Sequence, residues 1–542
     1  VYGSMQCPYY VQRALERMLA CDRDKVHVIA MTTGGGFGGK EEYPSILAAH
    51  AAILAHKTGL PVKMVYDREE DLKATTKRHP GMIRHRTGVS ADGRLCAMEV
   101  EILLDGGAYC TLSPVVLSRA AIHAAGPYRC EHVRITGRVV ATNNPPYGAF
   151  RGFGVPQACF AVERQMDRVA AALAISPLEI RRRNVLRLGD YTATGQRLTS
   201  SVAASEVLEE AVRRSGYQSK WASQRASGTV RRGIGLSLFF HGAGFTGSGE
   251  DKIRGRAGLE ALAGGRVRVL SAATEIGQGT QTVFTQIVAE ELGIDPALVE
   301  IAPADTARVP DSGPTVASRT CMIVGGVLQE AARALRAELE TFCRETKAES
   351  SDWPTRVDRY LAERGPLAAF KQHQRPAGLE WDESNYRGDA YSAYSWAADV
   401  VEADVDLDTY ETKLTRLTTC HEIGKVINPQ MTEGQIEGGT LQALGYALYE
   451  EVRMSEGEMA NARLTNYIIP TTMDVPIMET HLIETEFAHG PHGAKGVGEL
   501  PMDGGAPAVA AAIEDATGFF LAELPMLPER LFEKATNTEP RA

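Results

Sequence analysis

Residues 26–31 read VHVIAM, a β-branched run that predicts a short strand. It leads into TTGGGFGGK. The following KEEYPSILAAHAAILAHKTG places apolar residues three and four apart, with Pro44 in the first turn and Gly59 at the end, which predicts a helix. The same order recurs in VRVLSAATEIGQGTQTVFTQIVAEELGI, with a strand expected at 267–270 and a helix ending near Gly293. Alternating patterns predict strands in 95–109, 398–420 and 478–487. Helical spacing marks 156–174, VGGVLQEAARALRAELETFC and APAVAAAIEDATG. The expected fold class is α+β, built as two related mixed α/β halves, residues 1–214 and 234–542. The polar stretch 215–233, rich in Ser, Gly and charge, reads as their connection. Residues 347–386 are polar, carry a Trp353-Pro354 break and give no clear element.

Composition narrows the class. The 542 residues carry 58 Lys and Arg against 68 Asp and Glu, a formal charge of −10, and 44% are hydrophobic. A chain of this length holds about three to five domain-sized units, so a lone small module and a disordered chain are both excluded. An acidic chain without Lys/Arg runs lacks the footprint that attracts nucleic acid. No stretch approaches the ~18–20 apolar residues of a membrane span and no basic-then-apolar leader opens the chain, so the expectation is a cytoplasmic protein. The nine cysteines are scattered without CxxC spacing and read as reduced, which places any iron–sulfur cluster on another polypeptide. The chain opens at Val1 inside what reads as a structured segment, the pattern of a fragment or a processed product.

The loop Gly34-Gly35-Gly36-Phe37-Gly38-Gly39-Lys40 follows a strand and opens a helix, where backbone N–H groups favour an anionic ligand. Its spacing matches G-x-x-x-x-G-K, but Glu41 stands where a phosphate-binding loop needs a Ser or Thr hydroxyl for magnesium. Glycines around a single Phe indicate a backbone that approaches a bulky ligand, the alternative being a plain turn. Gly277-Gln278-Gly279 does not continue as G-x-G-x-x-G, and His421-Glu422 lacks the second His of a zinc motif. Side-chain ligation of a metal is therefore not expected.

GGGFGGKE, AFRGFGVPQ, TEIGQGTQT, SGPTVAS, EGQIEG and KGVGE occur in order across residues 34–499. Together they resemble the successive motifs of the molybdenum-cofactor subunit of the xanthine dehydrogenase family, the molybdenum hydroxylases. The resemblance implies a molybdenum cofactor held through its pterin dithiolene, as molybdopterin or with an added cytosine nucleotide. It implies that Gln6, Phe37, Gly38 and Arg151 stand at the metal end of the cofactor, with Gly36, Gly277 and Gly498 also among the cofactor-binding residues. Gln278, Ala317, Ser318 and Gln435 would hold the pterin. Read without the family, Gln278 and Gln435 serve equally as helix caps and Ser318 as a helix-start hydroxyl. Glu499 in KGVGE would be the general base that accepts the proton of the attacking, water-derived oxygen, the alternative being a surface acid.

By the same resemblance, Glu41 and Arg119 correspond to the acid and the guanidinium with which purine-hydroxylating members hold the heterocycle and stabilise the charge it accumulates. A surface salt bridge is the bland reading of that pair. Phe153 and Phe245 would sandwich the flat substrate, with a core role the alternative for Phe245. The implied activity is purine hydroxylation, with nicotinate, another N-heterocycle or an aldehyde as the alternative substrates. A non-catalytic scaffold or a P-loop nucleotide binder remains as a competing class. The resemblance further implies an iron–sulfur subunit, an FAD subunit, a separate chain supplying the N-terminal region, and a dimer of such complexes.

Overall fold

A computed structural model of the chain describes residues 1–223, 228–347 and 351–537. Among these residues the strands form three larger sheets and three two-stranded ribbons. In the first sheet, Gly81–Val89 pairs antiparallel with Leu95–Gly107, which pairs parallel with His132–Ala141. Alternation along Leu95–Gly107 turns Val100, Ile102 and Leu104 to one face. Helices Ser113–His123 and Val155–Ala172 cover that face, adding Val116, Ala120, Ala124 and Ala158 to the same core. Burying each of the larger aliphatic side chains stabilises by about 1.5–3 kcal/mol.

The second sheet runs Ala368–Gln372, Arg256–Leu262, Arg266–Leu270 and Val299–Ile301. Val267 and Val269 pack against Phe284, Val288, Leu328 and Leu335 of helices Thr280–Leu292 and Gly325–Thr346. The third sheet runs Ile477–Ile483, Thr412–Glu422, Tyr394–Asp406 and Val230–Gly242. Helix Gly505–Thr517 lies directly on Val230–Gly242, where a Cβ on Gly235 would fall 2.0 Å from the Ala508 carbonyl oxygen. Only glycine allows that approach.

The α+β expectation holds, and the recurring strand, loop and helix appear as Ile29–Ala30 with Tyr43–Thr58 and as Arg266–Leu270 with Thr280–Leu292. The stretch 398–420 is a hairpin rather than one strand, turning between Asp406 and Thr412. Residues 347–386 contain helix Trp353–Arg364, capped by the Asp352 side chain, and strand Ala368–Gln372. The expected connection at 215–233 is largely regular structure: Tyr217–Ser223 is helical and a strand starts at Val230, while 224–227 lie outside the described residues. Buried Tyr217 pins that helix to the core, which polarity alone did not disclose. Helix Pro429–Leu448 escaped the periodicity reading because Gly434, Gly438, Gly439 and Gly445 interrupt it.

Candidate functional site

Loops from these units enclose a cavity of about 540 Å³. Every residue singled out from the sequence lines it except Gly36, which backs the wall against the Gln6 amide. That amide is committed to the protein: Oε1 accepts from the N–H of Gly38 at 3.0 Å and of Lys40 at 3.2 Å, and Nε2 donates to the Thr315 carbonyl at 2.9 Å. Gln6 thus stitches the glycine-rich loop to the 312–318 loop, and its second Nε2 hydrogen finds no acceptor among the described residues. Gly38 has φ +100° and its Cβ would lie 2.9 Å from the Ala149 carbonyl carbon, so glycine is required there. Phe37 is about half exposed on the cavity wall.

Arg151 is a structural clamp as well as a wall residue. Its Nε donates to the Gly498 carbonyl at 2.5 Å, Nη2 to the Gln435 carbonyl at 2.8 Å, and Nη1 to Gln442 Oε1 at 3.2 Å. One guanidinium therefore joins the AFRGFG loop, helix Pro429–Leu448 and the KGVGE loop. Burial pushes it down to about 10.

The amides and hydroxyl expected on the pterin are partly diverted. Gln278 folds back on its own loop, accepting from Ile276 N at 2.7 Å and donating to the Thr274 carbonyl at 3.0 Å and Thr280 Oγ1 at 2.7 Å. Its side chain is spent on shaping the turn, because the backbone there has no ladder to satisfy it. Gln435 sits inside helix Pro429–Leu448, not at its cap, which is Asn428. Ser318 starts no helix; its Oγ accepts the Glu499 N–H at 2.9 Å and so fixes the backbone of KGVGE.

Glu499 is buried, not a surface acid, and it sits in a chain of charged groups. Arg119 Nη1 approaches Glu499 Oε2 at 3.1 Å, and His241 Nε2 lies 3.3 Å from the same oxygen. His241 Nδ1 meets Asp503 Oδ2 at 2.8 Å. Arg119, on helix Ser113–His123, is 1% exposed and also donates to the Gly244 carbonyl. Burial alone would raise the Glu499 carboxyl, but Arg119 first, with His241 and Arg151, brings it down to about 2.

Glu41 is buried and forms no ion pair among the described residues, which overturns the surface-salt-bridge reading. Burial, with Glu42 and Glu499 nearby, pushes it up to about 8, so at neutral pH it carries its proton and can donate a hydrogen bond. Phe153 and Phe245 are half-buried on the cavity wall, so Phe245 is not a core side chain. His241 and Asp503 are not singled out by any motif or spacing in the sequence, since His241 lies on a strand and Asp503 follows a 3-10 turn.

These residues fit an anionic, bulky ligand. Among the described residues no cluster of three His, Cys, Asp or Glu could hold a metal ion. Among the same residues Arg151 has no carboxylate within ion-pair reach, leaving a buried cation at the wall. Ala317 and Ser318 adopt positive φ (56° and 50°) with backbone N–H groups that find no acceptor among the described residues. Such strain and unspent donors gather where a ligand is bound.

Comparisons with known proteins decide the family. Models described as molybdopterin cofactor-binding domains match residues 1–185 and 208–476. A probable xanthine dehydrogenase subunit of Bacillus subtilis is 36% identical, over 98% of this chain and 72% of its own length. The putative xanthine dehydrogenase molybdenum-binding subunit of Escherichia coli is 33% identical, again over 98% of this chain and 72% of its own length. The chain belongs to the xanthine dehydrogenase family of molybdenum hydroxylases. The fold of this family is also seen in the solved aldehyde oxidoreductase of Desulfovibrio gigas, with a TM-score of 0.89 and 27% identity. There the match covers 99% of this chain and 57% of the other, so this chain spans just over half of that protein. Among the described residues no helix is long and apolar enough to cross a membrane.

Proposed function

We propose that this chain is the molybdenum-cofactor subunit of a purine hydroxylase, with 1–214 and 234–542 as its two cofactor-binding domains. The observation that carries the reading is that Glu41, Arg119 and Glu499 line one cavity, buried, with Phe153 and Phe245 on its walls. When bound, the molybdenum cofactor supplies the site where a water-derived oxygen is activated and two electrons are accepted. Glu499, ionised at neutral pH, accepts the proton of that oxygen as it attacks an electrophilic ring carbon. Phe153 and Phe245 stack on the flat heterocycle and orient it. Glu41 donates its proton in a hydrogen bond to a ring nitrogen or carbonyl, and the Arg119 guanidinium stabilises the negative charge that builds up during attack. Arg151, Phe37 and Gly38 would stand at the metal end of the cofactor, and the backbone N–H groups of Ala317 and Ser318, with Gly277, Gln278, Gln435 and Gly498 beside them, would hold its pterin. The similarity to relatives named as subunits supports iron–sulfur and FAD partner subunits that carry electrons onward.

The test is elemental analysis of the natively purified complex, coupled to dye reduction with xanthine, hypoxanthine, nicotinate and an aldehyde. Molybdenum, iron and purine-dependent reduction support the proposal. Molybdenum with activity on nicotinate or aldehyde alone would overturn the roles given to Glu41 and Arg119 and leave Glu499 in place.

A further inference from the structure

Three consecutive residues beside the cavity hold a left-handed backbone: Gly152, Phe153 and Gly154, at φ of 90°, 53° and 96°. The two glycines take that conformation freely, whereas Phe153 keeps it only while its surroundings enforce it. The peptides that open the run are fixed on both sides. The Arg151 N–H donates to the Phe37 carbonyl at 2.8 Å, and the Arg151 carbonyl accepts from Arg78 Nη2 at 2.6 Å. Arg78 stands between helix Arg68–Ala74 and strand Gly81–Val89 and does not line the cavity. Its guanidinium carbon lies 4.5 Å from the centre of the Phe150 ring and 5.4 Å from that of Tyr446, on helix Pro429–Leu448. Its neighbours run along the same loop, Gly148 N donating to the Lys77 carbonyl at 2.9 Å and Gln157 Nε2 to the His79 carbonyl at 3.2 Å. Among the described residues Arg78 meets no carboxylate within ion-pair reach. A half-buried cation is costly to keep without a counter-charge, and this one spends itself on a backbone carbonyl and a ring of one loop.

Two arginines divide the work on this loop. The Arg151 side chain leaves it and bonds to Gly498, Gln435 and Gln442, on the loops around the cofactor bed. Arg78 holds its backbone. Phe150, whose ring lies beneath the Arg78 guanidinium, also supplies the carbonyl that accepts the Phe153 N–H at 2.9 Å. Both ends of the turn that presents Phe153 therefore lead back to Arg78. We propose that Arg78 is a positioning residue for the substrate: by holding the Arg151 carbonyl and the Phe150 ring it keeps the 152–154 run left-handed and fixes the Phe153 ring on which the flat heterocycle stacks. Without that hold the Arg151–Gly152 peptide can rotate, the strained Phe153 backbone relaxes, and its ring leaves the plane that the substrate needs.

This inference rests on the stacking role given to Phe153, and a double-mutant cycle separates its failure from that of the role. The full complex is purified as the parent, Arg78→Met, Phe153→Ala and the double variant, and each is assayed with xanthine and with a small aldehyde and analysed for molybdenum. Arg78→Met should raise KM for xanthine roughly tenfold, the worth of one charge-assisted hydrogen bond, with kcat and molybdenum content at the parent level. KM for the aldehyde, which has no ring to stack, should move less. In the Phe153→Ala background the same substitution should change nothing further, because the ring it positions is gone. Arg78→Lys, which keeps a cation over Phe150 and a donor for the carbonyl, should recover most of the loss. Independent, multiplying losses in the double variant would show that Arg78 acts elsewhere and overturn the inference. So would a fall in molybdenum content that tracks the loss, which would assign Arg78 to cofactor retention. A raised KM in Phe153→Ala beside an unchanged Arg78→Met would overturn the inference alone, whereas an unchanged Phe153→Ala would take down the stacking role and the inference with it.

Discussion

Lys495 Nζ and Glu422 Oε2 form a 2.7 Å ion pair in which both side chains are essentially out of solvent. The ammonium spends its remaining donors on the carbonyls of Ser201 at 3.0 Å and Tyr394 at 2.8 Å, and Glu422 Oε1 accepts from Gly424 N at 2.7 Å and Thr485 Oγ1 at 2.6 Å. The pair ties the first residue of KGVGE to the end of strand Thr412–Glu422, four residues before Glu499. Lys495→Met removes the cation and leaves a buried charge, so it should destabilise by about 3–5 kcal/mol. Chemical denaturation of the two proteins checks this, and a loss under about 1 kcal/mol would show that water reaches Glu422.

Gly38 is expected to tolerate no side chain. In Gly38→Ala the new methyl meets the Ala149 carbonyl at a φ that costs a non-glycine residue roughly 1–2 kcal/mol. The strain falls on the loop whose N–H groups hold Gln6 in place, so the variant should bind less molybdenum per chain than the parent after identical purification. Undiminished molybdenum content would show that the loop relaxes elsewhere.

Motif residues were legible because their local backbone is written into adjacent positions: glycines around Phe37, Phe153 and Gln278 set turns that end on the same cavity. The partners that tune the site were not. His241 and Asp503 are 262 positions apart, and Glu422 and Lys495 are 73 apart; each pair exists only because the third sheet brings its strand ends beside the KGVGE loop. Asp503 follows Glu499 by four residues, yet Pro501 lies between and the segment is a tight 3-10 turn, so helical spacing says nothing about it. Gln6 lines the same cavity, and its amide also bridges two loops that sequence spacing does not bring together.

The protonation of Glu41 should be visible in stability. Its ordinary value is 4.5 and the folded chain raises it to about 8, so between these limits the folded state holds a proton that the unfolded state releases. Stability contributed by that proton is complete below about 4.5 and is lost as pH rises through about 8. Glu41→Gln, which mimics the protonated form, should gain melting temperature relative to the parent on going from pH 5 to pH 8.5. A constant difference across that range would show Glu41 ionised throughout.

Arg119 separates the substrate classes. It pairs with Glu499 and lines the same cavity as Phe153 and Phe245, where it can stabilise charge on a heterocycle. Arg119→Met removes a charge-assisted hydrogen bond, so purine turnover should fall roughly ten- to a hundredfold. Turnover of a small aldehyde, which spreads little charge over a ring, should fall less. Equal losses on both substrates would show that Arg119 acts only by holding Glu499.

Glu499 carries the heaviest demand. It is buried at the cavity wall, its N–H is fixed by Ser318, and Arg119 and His241 keep it ionised. Glu499→Gln preserves shape and hydrogen-bonding capacity but cannot accept a proton. Its effect should therefore fall on turnover, by at least ~10²-fold, the low end for a positioned acid–base group. Molybdenum content should stay at the parent level, because the backbone contact with Ser318 survives the change. Metal analysis and steady-state kinetics on one preparation distinguish the outcomes: full metal with lost turnover supports proton transfer, lost metal assigns Glu499 to cofactor retention, and near-parental turnover removes it from the chemistry.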